Sequence, residues 1–578
     1  EQAILCRTHG QAASIARVLE AAGVPTLYLG NLFERPEIRD LLALVSLAAE
    51  SDGRALLRAS RLAGAPIDRL ACAALVQWAR AQQVPFPRAL DRAAEAGLEP
   101  AAAAACAALA AAIDAAGPYR DPAGFLARFL FGPASPLGGL LADGSAGAAA
   151  QIMAIDQLLG LARSLEAPSA PPPAGTSPDT APSPLRQFLT HVRRLYAAKQ
   201  VPGRTPAGGD ELAAVRVLTV HASKGLEFPV VYVPCLAAGR FPFREMWEAC
   251  PPPPGLITGE SESDQELEET CLFFVALSRA RDELVLSRAT RYGKQAAKPS
   301  PFLALLAPAF AQQPPQPLTW PAAGAPAAAA PAADSPAPDP ETVFDVADLE
   351  QYLHCPRQYE YSRRLRLDAG ESGGYQSFNK VVREVLRHLR AEHTANRLPA
   401  GEAAVLELLA GNWESAGPQG HIHEALYADA ARRLVLATWR RLAGTAPTAA
   451  WREELTVPLG GATVRARLDL AQRQPGQGIR VVRLRTGKPR DDDRRALRLA
   501  LIQAAARQEL GPTAPLTIEL EYLETGETVP VEIAGRYERE RLAKLEGAVQ
   551  GIRAGHFPAT PADADACLRC PFWIICPA

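Results

Sequence analysis

Apolar and polar positions follow two alternating periods over the first fifty residues. "AILCR" has the character of a short core strand, and "AASIARVLEAAG" repeats its apolar residues at helical spacing. "PTLYLG" is strand-like again, and "PEIRDLLALVSLAAE" helical again, an α/β pattern with short connections. From 51 to about 204 the pattern is helical and alanine-rich, broken by "APSAPPPAGTSPDTAPSP", whose composition predicts a flexible loop. Strand character returns with "AVRVLTV" and "PVVYVPCL", and this α/β segment ends near 306. A proline- and alanine-rich tract over 307–341 predicts an interdomain linker, and a second α/β unit fills 342–578.

At 578 residues the chain is too long for a single core, which predicts three or four domains. A formal net charge of −2 excludes overall attraction to nucleic acid, so any DNA site must be a local patch. The hydrophobic fraction of 48% is raised by alanine, and no uninterrupted apolar window is long enough to span a membrane. "EQAILCRTHG" lacks a basic start and a signal-type run. It opens in core-strand character without methionine, which predicts a fragment of a longer protein. Six of ten cysteines, at 6, 72, 106, 235, 250 and 271, are expected to be core thiols. With no sign of secretion, the other four are expected as thiolate ligands in a reducing cytoplasm.

In "VRVLTVHASKGLEFPVVYV" a cluster of polar residues follows a buried strand directly. Thr219, His221, Ser223, Lys224 and Gly225 would then sit at a sheet's carboxyl edge, where nucleotides bind in α/β folds. "LEETCLFFVALSRARDELVL" predicts an amphipathic helix with Arg279 and Arg281 near its end, leading into a strand. An arginine at a domain edge can reach a γ-phosphate. Either stretch alone could be a solvated turn or a charged helix end. Together, and in this order, they resemble the UvrD/Rep-type superfamily 1 helicases. The opening forty residues are similar to the start of that family's RecA-like second motor domain, "TVHASKGLEFP" to its motif V and "EETCLFFVALSRAR" to its motif VI. The resemblance implies motor domain 2A over 1–50 and 205–306, with a helical 2B insertion over 51–204. It implies Arg279 as the γ-phosphate contact, and Glu227 at the ribose of ATP with Gly225 and Lys224 beside it. Thr219 and His221 would lie near single-stranded DNA, and translocation would run 3′ to 5′. No G-x-x-x-x-G-K-[ST] loop and no magnesium-binding acid motif occurs, so ATP and Mg2+ would need a preceding motor half.

Near the C-terminus "CLRCPFWIIC" places Cys567, Cys570 and Cys576 close together, with Cys355 far upstream in "YLHCPRQYEY". Four thiolates hold either an iron–sulfur cluster or tetrahedral zinc, and the spacing alone allows both. "FDVADLEQYLHCPRQYEYSRRLRL" and "GIRAGHFPATPADADACLRCPFWIICP" resemble the two ends of the RecB/AddB-type PD-(D/E)XK iron–sulfur nuclease domain. That resemblance covers 342–578 and implies a four-iron cluster as a structural staple on these cysteines. It also implies a metal site of histidine, acid, D/E-x-K pair, glutamine and tyrosine. Here those positions read Arg383, Asp469, Arg483 with Arg485, Arg498 and Ile502.

Residues two apart on a strand share a face, so Arg483 and Arg485 are expected to face the site together. Magnesium requires oxygen ligands, and two guanidiniums repel it. One charge pair about 5 Å apart contributes roughly 3 kcal/mol at an effective dielectric near 20, so exchanging attraction for repulsion costs about twice that. The expectation is a pseudo-nuclease whose Arg483 and Arg485 grip DNA phosphates. Eight Lys or Arg between 480 and 498, against Asp491 to Asp493, fit that expectation, although the aspartates could instead pair with the arginines. Displaced carboxylates at Asp491–Asp493 would make a live magnesium-dependent exonuclease, and a non-enzymatic scaffold in an end-processing complex is a third alternative. Expected partners are single-stranded DNA, duplex ends and a second helicase/nuclease subunit.

Overall fold

The apolar run at the start of the chain pairs with runs far along it. Strand β1 (Gln2–Cys6) lies parallel to both β3 (Val215–Thr219) and β4 (Phe228–Val233). Strand β2 (Thr26–Leu27) flanks β3, and β5 (Ala280–Leu286) flanks β4. The result is an all-parallel sheet in the order β2-β3-β1-β4-β5. The computed structural model describes residues 1–50, 53–63, 67–117, 121–132, 135, 137–165, 183–199, 212–243, 262–293, 295–310, 316–318, 342–367, 373–421, 423–447, 451–473, 478–511 and 514–577. They form two units, Glu1–Ala327 and Ala328–Ala578.

In the first unit Leu5, Val220, Val231 and Val233 of the sheet layer pack on Phe241, Phe273 and Phe302. Helix His9–Ala21 starts where the Thr8 hydroxyl accepts the Gln11 N–H at 3.3 Å, a standard N-cap. Helix Pro36–Ala49 buries nine consecutive or near-consecutive residues, Ile38 to Leu47, and so lies between layers. Among the described residues, the region between β2 and β3 is built of helices and has no strand. Because β2 and β3 are neighbours, this insert leaves and re-enters at one sheet edge. Its later helices belong to that edge: Ala150 in helix Ala146–Ser164 packs on Leu27 and Leu29, and Arg193 reaches Glu50 at 2.7 Å. Arg281 lies in β5, since the preceding helix Glu262–Leu277 ends before it. A small hairpin (β6, Arg291–Tyr292; β7, Gln295–Ala296) follows. Four residues of the expected linker, Ala307–Phe310, form a helical turn instead. Most of the predicted flexible loop, at 166–182, and of the linker, at 319–341, lies outside the described residues.

The second unit holds two sheets. In the first, β8 (Val343–Asp345), β10 (Ala462–Arg467) and β9 (Glu454–Leu459) run in the order β8-β10-β9. In the other, β11 (Leu470–Arg473), β12 (Ile479–Arg485), β13 (Leu516–Tyr522) and β14 (Thr528–Pro530) follow in sequence order. Both faces of β12 are covered. Ile479 and Val481 pack in the core that includes helices Leu497–Leu510 and Gly535–Arg553, while Val482 and Leu484 meet helices Gly374–Thr394, Glu402–Ala416 and Glu424–Ala443. A strand covered on both faces ordinarily reads as unbroken apolar sequence. Arg483 breaks that rule and marks the site. Among the described residues no helix is long and apolar enough to cross a membrane.

Candidate functional site

Strand β3 delivers a tight polar turn to the carboxyl edge of the first sheet. Thr219 Oγ1 accepts the Ala222 N–H at 3.3 Å, and the buried Ser223 hydroxyl donates to the Val220 carbonyl at 2.8 Å. Gly225 takes φ +85°, a conformation that glycine adopts without strain. The turn therefore exposes His221, Lys224, Gly225 and Glu227. Arg279 follows helix Glu262–Leu277 and is fastened to carbonyls, Nε to Val275 at 3.1 Å and Nη1 to Leu226 at 2.9 Å. No carboxylate pairs with it among the described residues. Thus Arg279 is bonded to the turn that carries Glu227, Lys224 and Gly225.

Sequence reasoning missed Arg7 and Glu269. Arg7 directly follows β1, is ion-paired with the buried Glu269, and lies over the Phe243 ring. Glu269 also accepts the Phe243 N–H at 2.8 Å. The signal that could have found Arg7 was the same one that flagged Thr219, polar residues straight after a core strand, as in "LCRTH". His221 faces this group. Partial burial, Arg7 and Lys224 together lower its pKa from the usual value, against an opposing pull from Glu269.

In the second unit the site centres on Asp469, just before β11. Leu470 pairs with Val482, and that register sets Asp469 opposite Arg483. Arg483 Nη1 lies 3.1 Å from Asp469 Oδ2 and donates to the Arg467 carbonyl at 2.9 Å. Arg383 donates to Asp469 Oδ1 at 3.0 Å and to the Leu484 carbonyl at 3.1 Å. The Leu484 N–H adds a bond to Oδ2 at 2.9 Å. Both carboxylate oxygens are taken. Burial drives the Arg483 pKa down to about 10, opposed by Asp469, with Arg498, Arg383 and Arg485 pushing the same way as burial.

Arg485 diverges from Arg483 although both share a strand face. It pairs with Asp493 at 3.4 Å, and Asp493 also accepts the Tyr522 hydroxyl at 3.1 Å. Arg498 is held by Glu350, and Ile502 is fully buried. Each guanidinium of the expected phosphate-gripping pair has an acid beside it: Arg483, 8% exposed, is closed onto Asp469, and Arg485 pairs with Asp493. The side chains of Asp491 and Asp492 lie outside the described residues.

The UvrD-like helicase C-terminal domain family model matches residues 145–291, and the PD-(D/E)XK nuclease superfamily model matches 344–577. The chain joins a UvrD-like helicase C-terminal domain to a PD-(D/E)XK nuclease domain. It is 26% identical over 314 residues to the ATP-dependent DNA helicase PcrA of Bacillus subtilis, covering 52% of this chain and 39% of that protein. Over 303 residues it is 28% identical to the ATP-dependent DNA helicase UvrD1 of Mycobacterium tuberculosis, covering 50% and 36%. It is 33% identical over 129 residues to an ATP-dependent helicase/nuclease subunit of Moorella thermoacetica, covering 18% and 9%. The chain spans well under half the length of these relatives.

In the nuclease domain, the two cysteine-bearing ends are laced together. The Arg357 N–H donates to Pro558 at 3.2 Å, the Ala562 N–H to His354 at 2.8 Å, and the Tyr352 hydroxyl to His556 at 2.7 Å. Cys355, Cys567, Cys570 and Cys576 are all half-buried. Burial pushes the Cys570 thiol up to about 12; a Phe572 backbone bond opposes this, and nearby Cys576, Cys355 and Cys567 add to it. Four neighbouring thiols form a donor set that suits iron–sulfur or zinc chemistry in kind. Among the described residues, however, no three Cys, His, Asp or Glu side chains are disposed to hold a metal ion. Of the six remaining cysteines, Cys6, Cys72 and Cys106 are buried, Cys235 is half-buried and Cys271 is exposed, against the expectation of a core role. Cys250 lies outside the described residues.

Proposed function

We propose that this chain is the C-terminal part of an ATP-dependent DNA helicase/nuclease subunit that works in repair or recombination, with a nuclease domain that holds DNA without cutting it. In this reading the protein is cytoplasmic, works with a second subunit on single strands and duplex ends, and translocates 3′ to 5′ once a phosphate-binding motor half is present. Arg279 meets the γ-phosphate of ATP, Glu227 the ribose, and Gly225 and Lys224 line the same turn, while exposed His221 and the buried Thr219 beneath it lie near the strand. The names of the relatives support the motor assignment.

One observation carries the loss of cutting: both oxygens of Asp469 are occupied by Arg383, Arg483 and the Leu484 N–H. A divalent ion would have to displace two guanidiniums and then sit beside them. The cysteines would hold a four-iron cluster or zinc that ties the domain's ends together. The purified protein's visible absorption and metal content distinguish the two: a brown protein with iron supports the cluster, whereas a colourless one with stoichiometric zinc replaces it.

The protein joined to its motor half, assayed on end-labelled DNA with Mg2+ or Mn2+, is expected to hydrolyse ATP and move along single strands without cleaving them. Metal-dependent cleavage that Asp469→Ala or Asp493→Ala abolishes would reverse the assignment.

A further inference from the structure

The nuclease domain carries an aromatic ridge beside its locked pocket. Tyr375, in the first turn of helix Gly374–Thr394, is 53% exposed. Its ring lies 5.9 Å from that of Phe378, which stacks on Tyr427 at 5.5 Å. Tyr427 lies 5.5 Å from His421, and His421 5.6 Å from His423. Phe378 is buried and forms the floor, while Tyr375 and His423 are open to solvent at the two ends.

The ridge has two supports. A Cβ at Gly374 would come within 2.7 Å of the His421 ring, so the absence of a side chain lets the imidazole lie against the helix start. Tyr375 Oη lies 3.3 Å from Thr486 Oγ1, which donates to Asn379 Oδ1 at 2.6 Å. That network joins the ridge to the turn leaving β12. The turn continues through exposed Lys488 and Arg490, and exposed Lys380 follows Asn379 on the helix. Neither lysine meets a carboxylate among the described residues. Asp493, the nearest described acid along the turn, accepts the Arg490 backbone N–H at 3.3 Å and spends its charge on the Arg485 guanidinium, with the Tyr522 hydroxyl donating to it as well.

We propose that this ridge is a base-stacking platform for single-stranded DNA, with Lys380, Lys488 and Arg490 taking the backbone phosphates. It rests on the reading that the domain holds DNA, and it moves the contact away from Arg483 and Arg485. Stacking on aromatic faces is sequence-tolerant because every base has a π-face, and paired bases in a duplex are withheld from it.

In the full chain, Tyr375→Ala weakens binding of fluorescein-labelled oligo-dT about tenfold, and Tyr375→Phe, which keeps the ring, does not. Lys488→Glu with Arg490→Glu flattens the slope of log affinity against log salt by about 1.4, two phosphates at roughly 0.7 each. Duplex of equal length changes little in either variant. Cross-linking with iodouracil-substituted oligo-dT locates the strand, and adducts on peptides bearing Tyr375, His421 or His423 support the platform. Adducts confined to 215–227, with Tyr375→Ala binding normally, overturn it and leave DNA binding by the helicase domain intact. Failure of the chain to bind oligo-dT at all removes both.

Discussion

Arg279 and Arg483 are one side chain in two opposite settings. In the helicase domain, carbonyls of Val275 and Leu226 fix the guanidinium of Arg279, and no described acid neutralises it. In the nuclease domain, Arg483 is 8% exposed and closed onto Asp469. Neutral acceptors orient a charge and leave its field for a ligand; a carboxylate orients it and cancels it. Sequence position alone does not separate the two cases, because each arginine falls in a stretch resembling a catalytic motif.

The largest effect expected from this contrast is on turnover. In the protein joined to its phosphate-binding half, Arg279→Ala lowers ATP hydrolysis about a thousandfold or more, the scale of a missing arginine finger. The unfolding midpoint of the helicase domain stays where it was, since only bonds to carbonyls and to the Ser278 hydroxyl are lost. Steady-state ATPase and thermal melts measure both, and retained turnover would show that Arg279 is not poised for phosphate.

The next effect is on stability and falls on the other site. Asp469→Ala strands Arg483 in the interior without a counter-charge and is expected to cost the nuclease domain about 3–5 kcal/mol in urea unfolding. Arg483→Met should cost less, about 1 kcal/mol, because a hydrophobic chain of similar length fills the space. Asp469 then keeps Arg383 at 3.0 Å and the Leu484 N–H at 2.9 Å. The asymmetry arises because the acid has two cationic partners and Arg483 has one acid. Equal costs for the two variants would mean the pocket is not built around Asp469.

Much of this arrangement was legible in the sequence. The strand runs of the first sheet, the helical insert and the shared face of Arg483 and Arg485 follow from periods of 2 and 3.6. What the periods could not supply was partnership. Asp469 meets Arg483 only through the antiparallel register of β11 with β12, and Asp493 meets Arg485 only because the chain folds back after the Gly487 turn. Two residues on one strand face thus acquired different acids, which no pattern along a single strand encodes. Arg7 and Glu269 escaped for the same reason, lying 262 positions apart and meeting across β1 and a helix. The aromatic ridge was invisible because Tyr375, His421 and Tyr427 come from separate segments with no common spacing.

The smallest effect sharpens the comparison from the helicase side, where cations left without acids should influence their neighbours. Partial burial pushes the His221 pKa below the usual 6.5, with Arg7, Lys224 and His9 acting the same way and Glu269 opposing. Between that lowered value and 6.5 the unfolded chain binds a proton that the folded chain refuses, so stability rises with pH across this window and is lost as pH falls through it. The urea midpoint of the helicase domain should therefore drop between about pH 7.5 and about pH 5.5, and drop less in His221→Gln. Lys224→Ala, which removes one of the repelling cations, should give an intermediate loss. If His221→Gln leaves the pH dependence unchanged, the histidine does not feel those charges, and the turn is more thoroughly solvated than the unopposed setting of Arg279 implies.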